Sequence, residues 1–166
     1  IVLGVACALL GWLFVHGVRS LGTVFRRITF LPTFFQPAIG GLIVGAIALA
    51  LLPIVEGHGV SFGGYSLAES AISGALSLRI LAILILAKVF ATAVTVGSGG
   101  AGGVFAPALS LGAVIGAAVG LGAATVLPGL DLDPGEFALV GMGGFFAGVG
   151  KVPIAAVVMV CEMTGN

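Results

Sequence analysis

The sequence predicts an all-α, polytopic membrane protein, and three observations support this fold class. Of its 166 residues, 60% are hydrophobic and 7% are charged, whereas a soluble domain carries about 25% charged residues. Several apolar runs are long enough to cross a bilayer as helices, and they lack the alternation of barrel strands. The last two apolar stretches are short and interrupted by glycine and proline, which is typical of the discontinuous helices that transporters place around ion sites.

The first predicted span is the apolar run IVLGVACALLGWLFVHGV, residues 1–18, which is expected to end at Arg19. Arg26 and Arg27 follow it, and basic residues beside a span predict a cytoplasmic loop. The run opens in mid-pattern without a methionine or a basic leader, so we expect a fragment of a longer protein.

A second span is predicted over residues 38–52, where Gly41 and Gly45 have the spacing of small residues that let helices approach closely. Pro53 is expected to close this span, because proline lacks the N–H that a helix interior uses. A polar, glycine-rich loop, EGHGVSFGGYS, follows over residues 56–66.

The next apolar region contains a short helix, predicted over 67–76, and a longer span over 78–96. A further span is predicted over 104–126, and the acidic loop PGLDLDPGE follows it. Because this loop contains no Lys or Arg, we expect it on the opposite side of the membrane from the arginine-rich loop.

The final apolar pieces, FALVGMGGFFAGVG and PIAAVVMVCEM, are each too short to cross a bilayer of about 30 Å alone. Lys151 and Pro153 separate these two half-helices. Glu162 is expected to have a structural role, since a negative charge near a helix C-terminus needs a compensating partner. Trp12 and Phe14 are expected to serve helix packing or a subunit interface.

The stretch GSGGAGGVFAP, residues 97–107, crowds glycine into a region between two apolar spans. Gly97, Gly99 and Gly102 spell G-x-G-x-x-G, but a dinucleotide site needs a preceding strand and an acidic residue about 20 positions later. A phosphate-binding loop needs a following Lys and Ser or Thr. The sequence has none of these features, so both interpretations as a soluble nucleotide site fail.

The same glycines suit an anion site inside a membrane. They remove side-chain bulk, so backbone N–H groups can approach an ion directly. A proline is tolerated in the first turn of a helix, and the free N–H groups of that turn attract an anion together with the helix dipole. Helix packing is the alternative role for glycine, and we assign it to Gly112, Gly116 and Gly120, which lie four residues apart. The predicted anion-binding residues are Gly103, Val104, Phe105, Ala106 and Pro107, supported by the glycine loop of Gly99, Gly100 and Gly102.

Two motifs resemble the CLC family of voltage-gated chloride channels and chloride/proton exchangers. GGVFAP, residues 102–107, is similar to the family's G-x-F-x-P signature, and GEFALVGMGGFFAGVGKVPIAAVVMVCEMTGN, residues 135–166, is similar to its next segment. The resemblance implies an inverted-repeat bundle of tilted, partly discontinuous helices, and a homodimer with one anion pathway per subunit. It also implies that the N–H groups of Val104 and Phe105 bind the transported chloride.

By this resemblance, residues 1–166 are part of one transmembrane domain and cover the end of the first repeat and most of the second. Helices in 1–66 precede the core, and 67–166 form the core with the G-x-F-x-P helix start and the terminal half-helices. The family's serine motif G-S-G-x-P, its gating motif G-[KR]-E-G-P and its late tyrosine have no match in the sequence. Ser98 is not given the serine's role, since its motif lacks the proline. Channel or proton-coupled exchanger, and the preferred anion, therefore stay open.

The predicted function is transport of chloride or a similar small inorganic anion across the plasma or inner membrane. A non-transporting membrane scaffold and a secondary transporter for organic anions are the alternatives. The sequence shows no nucleophile–base pair, phosphate motif or metal-ligand spacing, so we expect neither an enzyme nor a cofactor or metal. Six basic and six acidic residues cancel, so net charge gives no indication of a nucleic-acid partner. The expected partners are the anion, the lipid bilayer and a second copy of the chain. Cys7 and Cys161 are expected to be buried thiols.

Overall fold

The computed structural model describes residues 1–27, 32, 34–55, 64–74, 76–127, 129 and 132–164. These residues form helices and no strand. The helices are α1 (Val2–Arg27), α2 (Gln36–Val55), α3 (Tyr65–Ile72), α4 (Leu78–Gly97), α5 (Phe105–Val126), α6 (Pro134–Gly150) and α7 (Pro153–Thr164). Four of them, α1, α2, α4 and α5, are long and apolar enough to cross a membrane. The prediction of an all-α, polytopic membrane protein is therefore confirmed.

Helix α1 is longer than the span predicted over residues 1–18. It continues through Arg19 and ends at Arg27, so the arginines lie in a helix and not in a loop. Hydropathy marks only the apolar part of a helix, whereas arginine has one of the higher helix propensities. The prediction that the first helix ends at Arg19 was therefore wrong.

Helix α2 includes the predicted residues 38–52 but continues past Pro53 to Val55. Pro53 thus does not close the helix; it removes one backbone hydrogen bond two residues before the helix ends. A Cβ added at Gly41 or Gly45 would meet no described atom within 4 Å. The small-residue spacing in α2 therefore brings no other described helix close.

Helix α3 begins at Tyr65 and ends at Ile72, earlier at both ends than the predicted 67–76. Gly74 follows with a φ of 69°, a left-handed conformation that commonly follows a helix end. The loop predicted over 56–66 loses its last two residues to α3, and most of the rest lies outside the described residues.

The later helices agree more closely with the predictions. Helices α4 and α5 match the predicted 78–96 and 104–126 to within one residue at each end. Helices α6 and α7 are the two short half-helices, separated by Lys151 and Val152. Helix α6 begins at Pro134, so it takes the last three residues of the predicted acidic loop; residues 128, 130 and 131 of that loop lie outside the described part of the chain.

The closest helix pair is α5 with α6, and glycine allows their backbones to meet. A Cβ added at Gly112 would lie 2.5 Å from the carbonyl oxygen of Gly141, and one at Gly120 would lie 2.9 Å from the Cβ of Phe137. A Cβ at Gly116 would collide with the carbonyl oxygen of Phe137. The packing role predicted for these three glycines is confirmed.

Helix α1 packs against α4 and α6, and its aromatic contact is with α6. Phe14 is 1% exposed and meets the ring of Phe145 edge-on, with 6.0 Å between ring centroids. Trp12 is 64% exposed and stacks on His16 at 4.7 Å. Of the two aromatics expected in packing or an interface, only Phe14 packs in the core of this chain.

The cysteines lie in different environments. Cys7 is buried as predicted, whereas Cys161 is exposed, so the prediction for Cys161 was wrong. Its helix, α7, buries Ala156 completely but exposes most of its other residues, including Glu162. An apolar run shows that a segment is hydrophobic, but it does not show which of its faces the rest of the chain covers.

The contact between α5 and α6 gives a stability prediction. Changing Gly116 to Ala should lower the free energy of unfolding by about 1–3 kcal/mol, because the methyl group has no space against α6. Changing Gly122 to Ala, on the same helix with nothing within 4 Å, should be neutral or stabilise by up to about 1 kcal/mol. Thermal unfolding of the whole protein in detergent measures both. Equal midpoints for the two variants would contradict the assigned contact.

Candidate anion site

Helix α4 ends in the first residues of the glycine stretch. Gly99 has a φ of 81°, and its N–H donates to the carbonyl of Val96 at 3.1 Å. The N–H of Gly100 donates to the carbonyl of Thr95 at 3.0 Å. These two bonds form the Schellman motif, whose left-handed residue is usually glycine. The predicted interruption between the spans 78–96 and 104–126 is confirmed.

Glycine is required at both positions of this motif. A side chain at Gly99 would strain a left-handed backbone. A Cβ at Gly100 would lie 2.8 Å from the carbonyl oxygen of Thr95, too close for any other residue without movement. Gly99 and Gly100 therefore turn the chain away from the axis of α4, and their own N–H groups are used in doing so.

Helix α5 begins without the usual means of satisfying its first N–H groups. Val104 is the N-cap, with φ −82° and ψ −8°, and no side chain caps the helix. The first helical hydrogen bond runs from the N–H of Ala108 to the carbonyl of Val104 at 2.9 Å. Between described residues, no backbone carbonyl accepts from any N–H of the segment 101–106. Six consecutive donors thus precede Pro107, which has none.

The start of helix α6 is capped by a side chain, whereas the start of α5 is not. There the Oδ1 atom of Asp133 accepts a hydrogen bond from the N–H of Gly135 at 2.8 Å. Pro134 occupies the first turn, and Glu136 adds a negative charge in that turn. A carboxylate therefore compensates the positive end of the α6 dipole. The first turn of α5 contains no acidic residue, so no carboxylate of that turn compensates its positive end.

The backbone at the start of α5 is accessible and its position is fixed. Gly102, Gly103 and Val104 are exposed, whereas Phe105 is half-buried. The ring of Phe105 meets Phe146 of α6 edge-on, with 4.9 Å between centroids and an interplanar angle of 90°. This aromatic contact ties the first turn of α5 to α6, so its N–H groups have a defined direction.

The eight residues predicted for the anion site thus lie together in one turn and the following helix start. Gly99 and Gly100 contribute by ending α4 rather than by presenting donors. The anion-binding role of the five residues from Gly103 to Pro107 and the supporting role of Gly102 stay predictions. Sequence reasoning missed the contrast with Asp133, although an Asp-Pro pair before a helix is a recognisable N-terminal signal.

The break between the half-helices was predicted as well. Lys151 ends α6 in a left-handed conformation, with φ 56° and ψ 33°, and its side chain is exposed. A non-glycine residue in this region is uncommon, and here it allows the chain to start α7 two residues later.

The voltage gated chloride channel family matches the chain over residues 1–166. The chain belongs to this family. Three relatives are similar to it over about three quarters of its length. The H(+)/Cl(-) exchange transporter ClcA of Vibrio parahaemolyticus serotype O3:K6 is 40% identical over 127 residues, which is 76% of this chain and 27% of the relative.

The proteins of the same name from Yersinia pestis bv. Antiqua (strain Angola) and Vibrio cholerae serotype O1 are similar too. The first is 40% identical over 128 residues, 77% of this chain and 26% of the relative. The second is 41% identical over 127 residues, 76% of this chain and 26% of the relative. The chain of this family member therefore spans about a quarter of the length of these relatives.

A change at Gly103 tests whether the glycine stretch serves transport or helix packing. A Cβ added there would meet nothing closer than the backbone N of Phe105 at 3.9 Å, and its φ is not in the left-handed region. We expect Gly103→Ala to change the unfolding free energy by less than about 0.5 kcal/mol. If Gly103 belongs to an anion site, as predicted, chloride flux per folded protein should fall about threefold to tenfold, because the methyl group would lie beside the amide of Phe105.

Flux and unfolding of the Gly103→Ala variant together distinguish a transport role of Gly103 from a packing role. Liposome flux and thermal unfolding are measured on the same preparation of the whole protein. A variant that unfolds earlier but transports like the wild type would show that Gly103 serves helix association, as the scaffold alternative requires.

Proposed function

We propose that the protein containing this chain transports chloride or a similar small inorganic anion, and that backbone amides at the start of α5 form part of the anion site. The observation that carries the proposal is the run of six N–H groups from Ala101 to Ala106 that donate to no described backbone carbonyl. The last two of them belong to the first turn of a 22-residue helix that has neither a capping side chain nor an acidic first turn.

Amides of this kind suit an ion that must also leave. A hydrogen bond to a charged group contributes about 1.5–3 kcal/mol, and the N–H groups of Val104 and Phe105 would provide two. The eight residues of the proposed site contain no Lys or Arg, so no full positive charge would hold the ion too tightly for conduction. Selective but reversible binding is what a transport site needs.

The relatives support a chloride pathway and add proton coupling as one form of its mechanism. All three are named for the exchange of protons and chloride. We propose that chloride is also the ion transported by the protein that contains this chain. The protein is then either a channel or a proton-coupled exchanger. This function is carried out without an enzymatic step or a bound cofactor, with chloride as the transported ion.

The proposal includes a homodimer in the plasma or inner membrane. Helix α7 presents Ile154, Val157 and Val158 on its surface, and they are 81%, 61% and 53% exposed. On α1, Val5 and Leu9 are 55% and 65% exposed. Exposed apolar side chains of this kind suit contact with lipid or with a second copy of the chain.

Removing one N–H group from the helix start tests the proposal. Val104→Pro deletes the N–H, and its φ of −82° is within reach of a proline ring. Since this N–H makes no bond to a described backbone carbonyl, the fold should tolerate the change. We expect anion affinity to fall about tenfold to a hundredfold, the equivalent of one hydrogen bond to a charged group.

Val104→Ala is the matched control, because it shortens the same side chain and keeps the N–H. Uptake of radioactive chloride into liposomes that contain the whole protein gives the affinity of both variants. Equal affinities would contradict the proposed site. Competition between chloride and small carboxylates in the same assay separates an inorganic-anion pathway from a transporter of organic anions.

A further inference from the structure

Two phenylalanines follow one another in α6 and pack against different helices. Phe145 is 1% exposed and meets the ring of Phe14 on α1, with 6.0 Å between ring centroids. Phe146 is 9% exposed and meets the ring of Phe105 on α5, with 4.9 Å between ring centroids. Successive residues of a helix point about 100° apart around its axis, so the two neighbours reach different partners. Of these two contacts, the second one reaches the start of α5.

The contact of Phe146 acts on a residue whose own backbone is a proposed anion ligand. Phe105 is the first residue of α5, and its N–H makes no hydrogen bond to a described backbone carbonyl. Its ring and its N–H are attached to the same Cα atom, so a ring held at 90° to Phe146 restricts the rotation of the backbone there. No side chain caps this helix start. The ring contact therefore supplies a positional restraint that many helix starts obtain from a cap.

The end of α6 leaves little room around the ring of Phe146. Gly150 lies four residues later, on the same face of the helix. A Cβ added at Gly150 would lie 3.3 Å from the Cε2 atom of Phe146 and 3.1 Å from the Cγ2 atom of Val152. The ring of Phe146 thus touches Phe105 and also lies close to the break between α6 and α7. Glycine at position 150 allows the ring to keep this position.

We infer that Phe146 is a positioning residue of the anion site, whose ring orients the N–H of Phe105 by holding the Phe105 ring. The inference rests on the proposed function and deepens it, because it identifies what fixes the direction of donors at an uncapped helix start. An edge-to-face aromatic pair contributes the equivalent of about twofold to twelvefold in an equilibrium constant, beyond its buried area. Donors that already point at the ion need no reorganisation when it binds. Anion affinity should therefore depend on Phe146 and not on Phe145.

Leucine at each position gives a matched pair of variants. Phe146→Leu and Phe145→Leu each remove one buried ring from α6, so both should lower the midpoint of thermal unfolding. We expect the dissociation constant for chloride to rise about threefold to tenfold for Phe146→Leu, and to stay within about twofold of the wild type for Phe145→Leu. Titration calorimetry of the whole protein in detergent, with sodium chloride as the probe, measures this affinity without transport. Equal dissociation constants for the two variants would overturn the inference.

A double variant shows whether Phe146 acts through Phe105. Phe105→Leu removes the partner ring and keeps the backbone N–H. Since both changes break the same contact, the protein with Phe105→Leu and Phe146→Leu together should bind chloride about as weakly as the weaker of the two single variants. Losses of affinity that multiply would show that Phe146 acts independently of Phe105, which would contradict the assigned role.

Gly150→Ala keeps both rings and moves one of them. The added methyl group would lie closer to Phe146 than an ordinary contact, so the ring must shift by a few tenths of an ångström. Because a misplacement of about 1 Å can cost about a hundredfold, we expect chloride affinity to fall about twofold to fourfold. Gly148→Ala is the control, since a Cβ there would meet nothing within 4 Å. This pair decides the question if Phe146→Leu fails to fold, and equal affinities would count against the role of Phe146.

The failure of this inference differs from the failure of the proposed function. A wild-type protein that binds no chloride would contradict the proposed function. Chloride binding that is weakened by Val104→Pro, but changes equally in Phe146→Leu and Phe145→Leu, would leave the proposed function standing and remove the positioning role of Phe146.

Discussion

A backbone that leaves its helix must find new partners for its hydrogen-bonding groups, and the end of α4 creates this situation. Gly99 adopts a left-handed conformation, so α4 cannot continue into α5. In a continuous helix, the N–H groups of 101–106 would donate to carbonyls four residues earlier. Irregular backbone at membrane depth is tolerated only where it is buried in protein or lines a water-filled cavity. The helix break and the proposed anion site thus depend on the same conformation.

The position of these N–H groups depends on the packing of α5 against α6. Gly112 and Gly116 bring the two backbones into direct contact, and the Phe105–Phe146 ring contact lies at the end of the same interface. Residues 108–117 of α5 are all buried. A helix held this firmly keeps its first amides in one direction, which lowers the cost of orienting them around an ion. The glycines of the packing face and the glycines of the break therefore have different roles in one arrangement.

Local features of this chain could be predicted from the sequence, and features that depend on distant contacts could not. The apolar spans and the break at Gly99 follow from hydropathy and glycine content within a few residues. The extension of α1 to Arg27 was missed because apolar length underestimates a helix that ends in charged residues. The exposure of Cys161 and the close approach of Gly22 to Gly97 depend on which faces of α7, α1 and α4 pack. Those faces are decided by residues far away in the chain.

The position of a bound halide is the most direct test of the anion site. Crystals of the whole protein soaked in bromide allow the ion to be located by its anomalous scattering. We expect a peak within hydrogen-bond distance of the backbone nitrogens of Val104 and Phe105. Bromide peaks elsewhere in a well-ordered map, with none at the start of α5, would contradict the assignment of these amides to the anion.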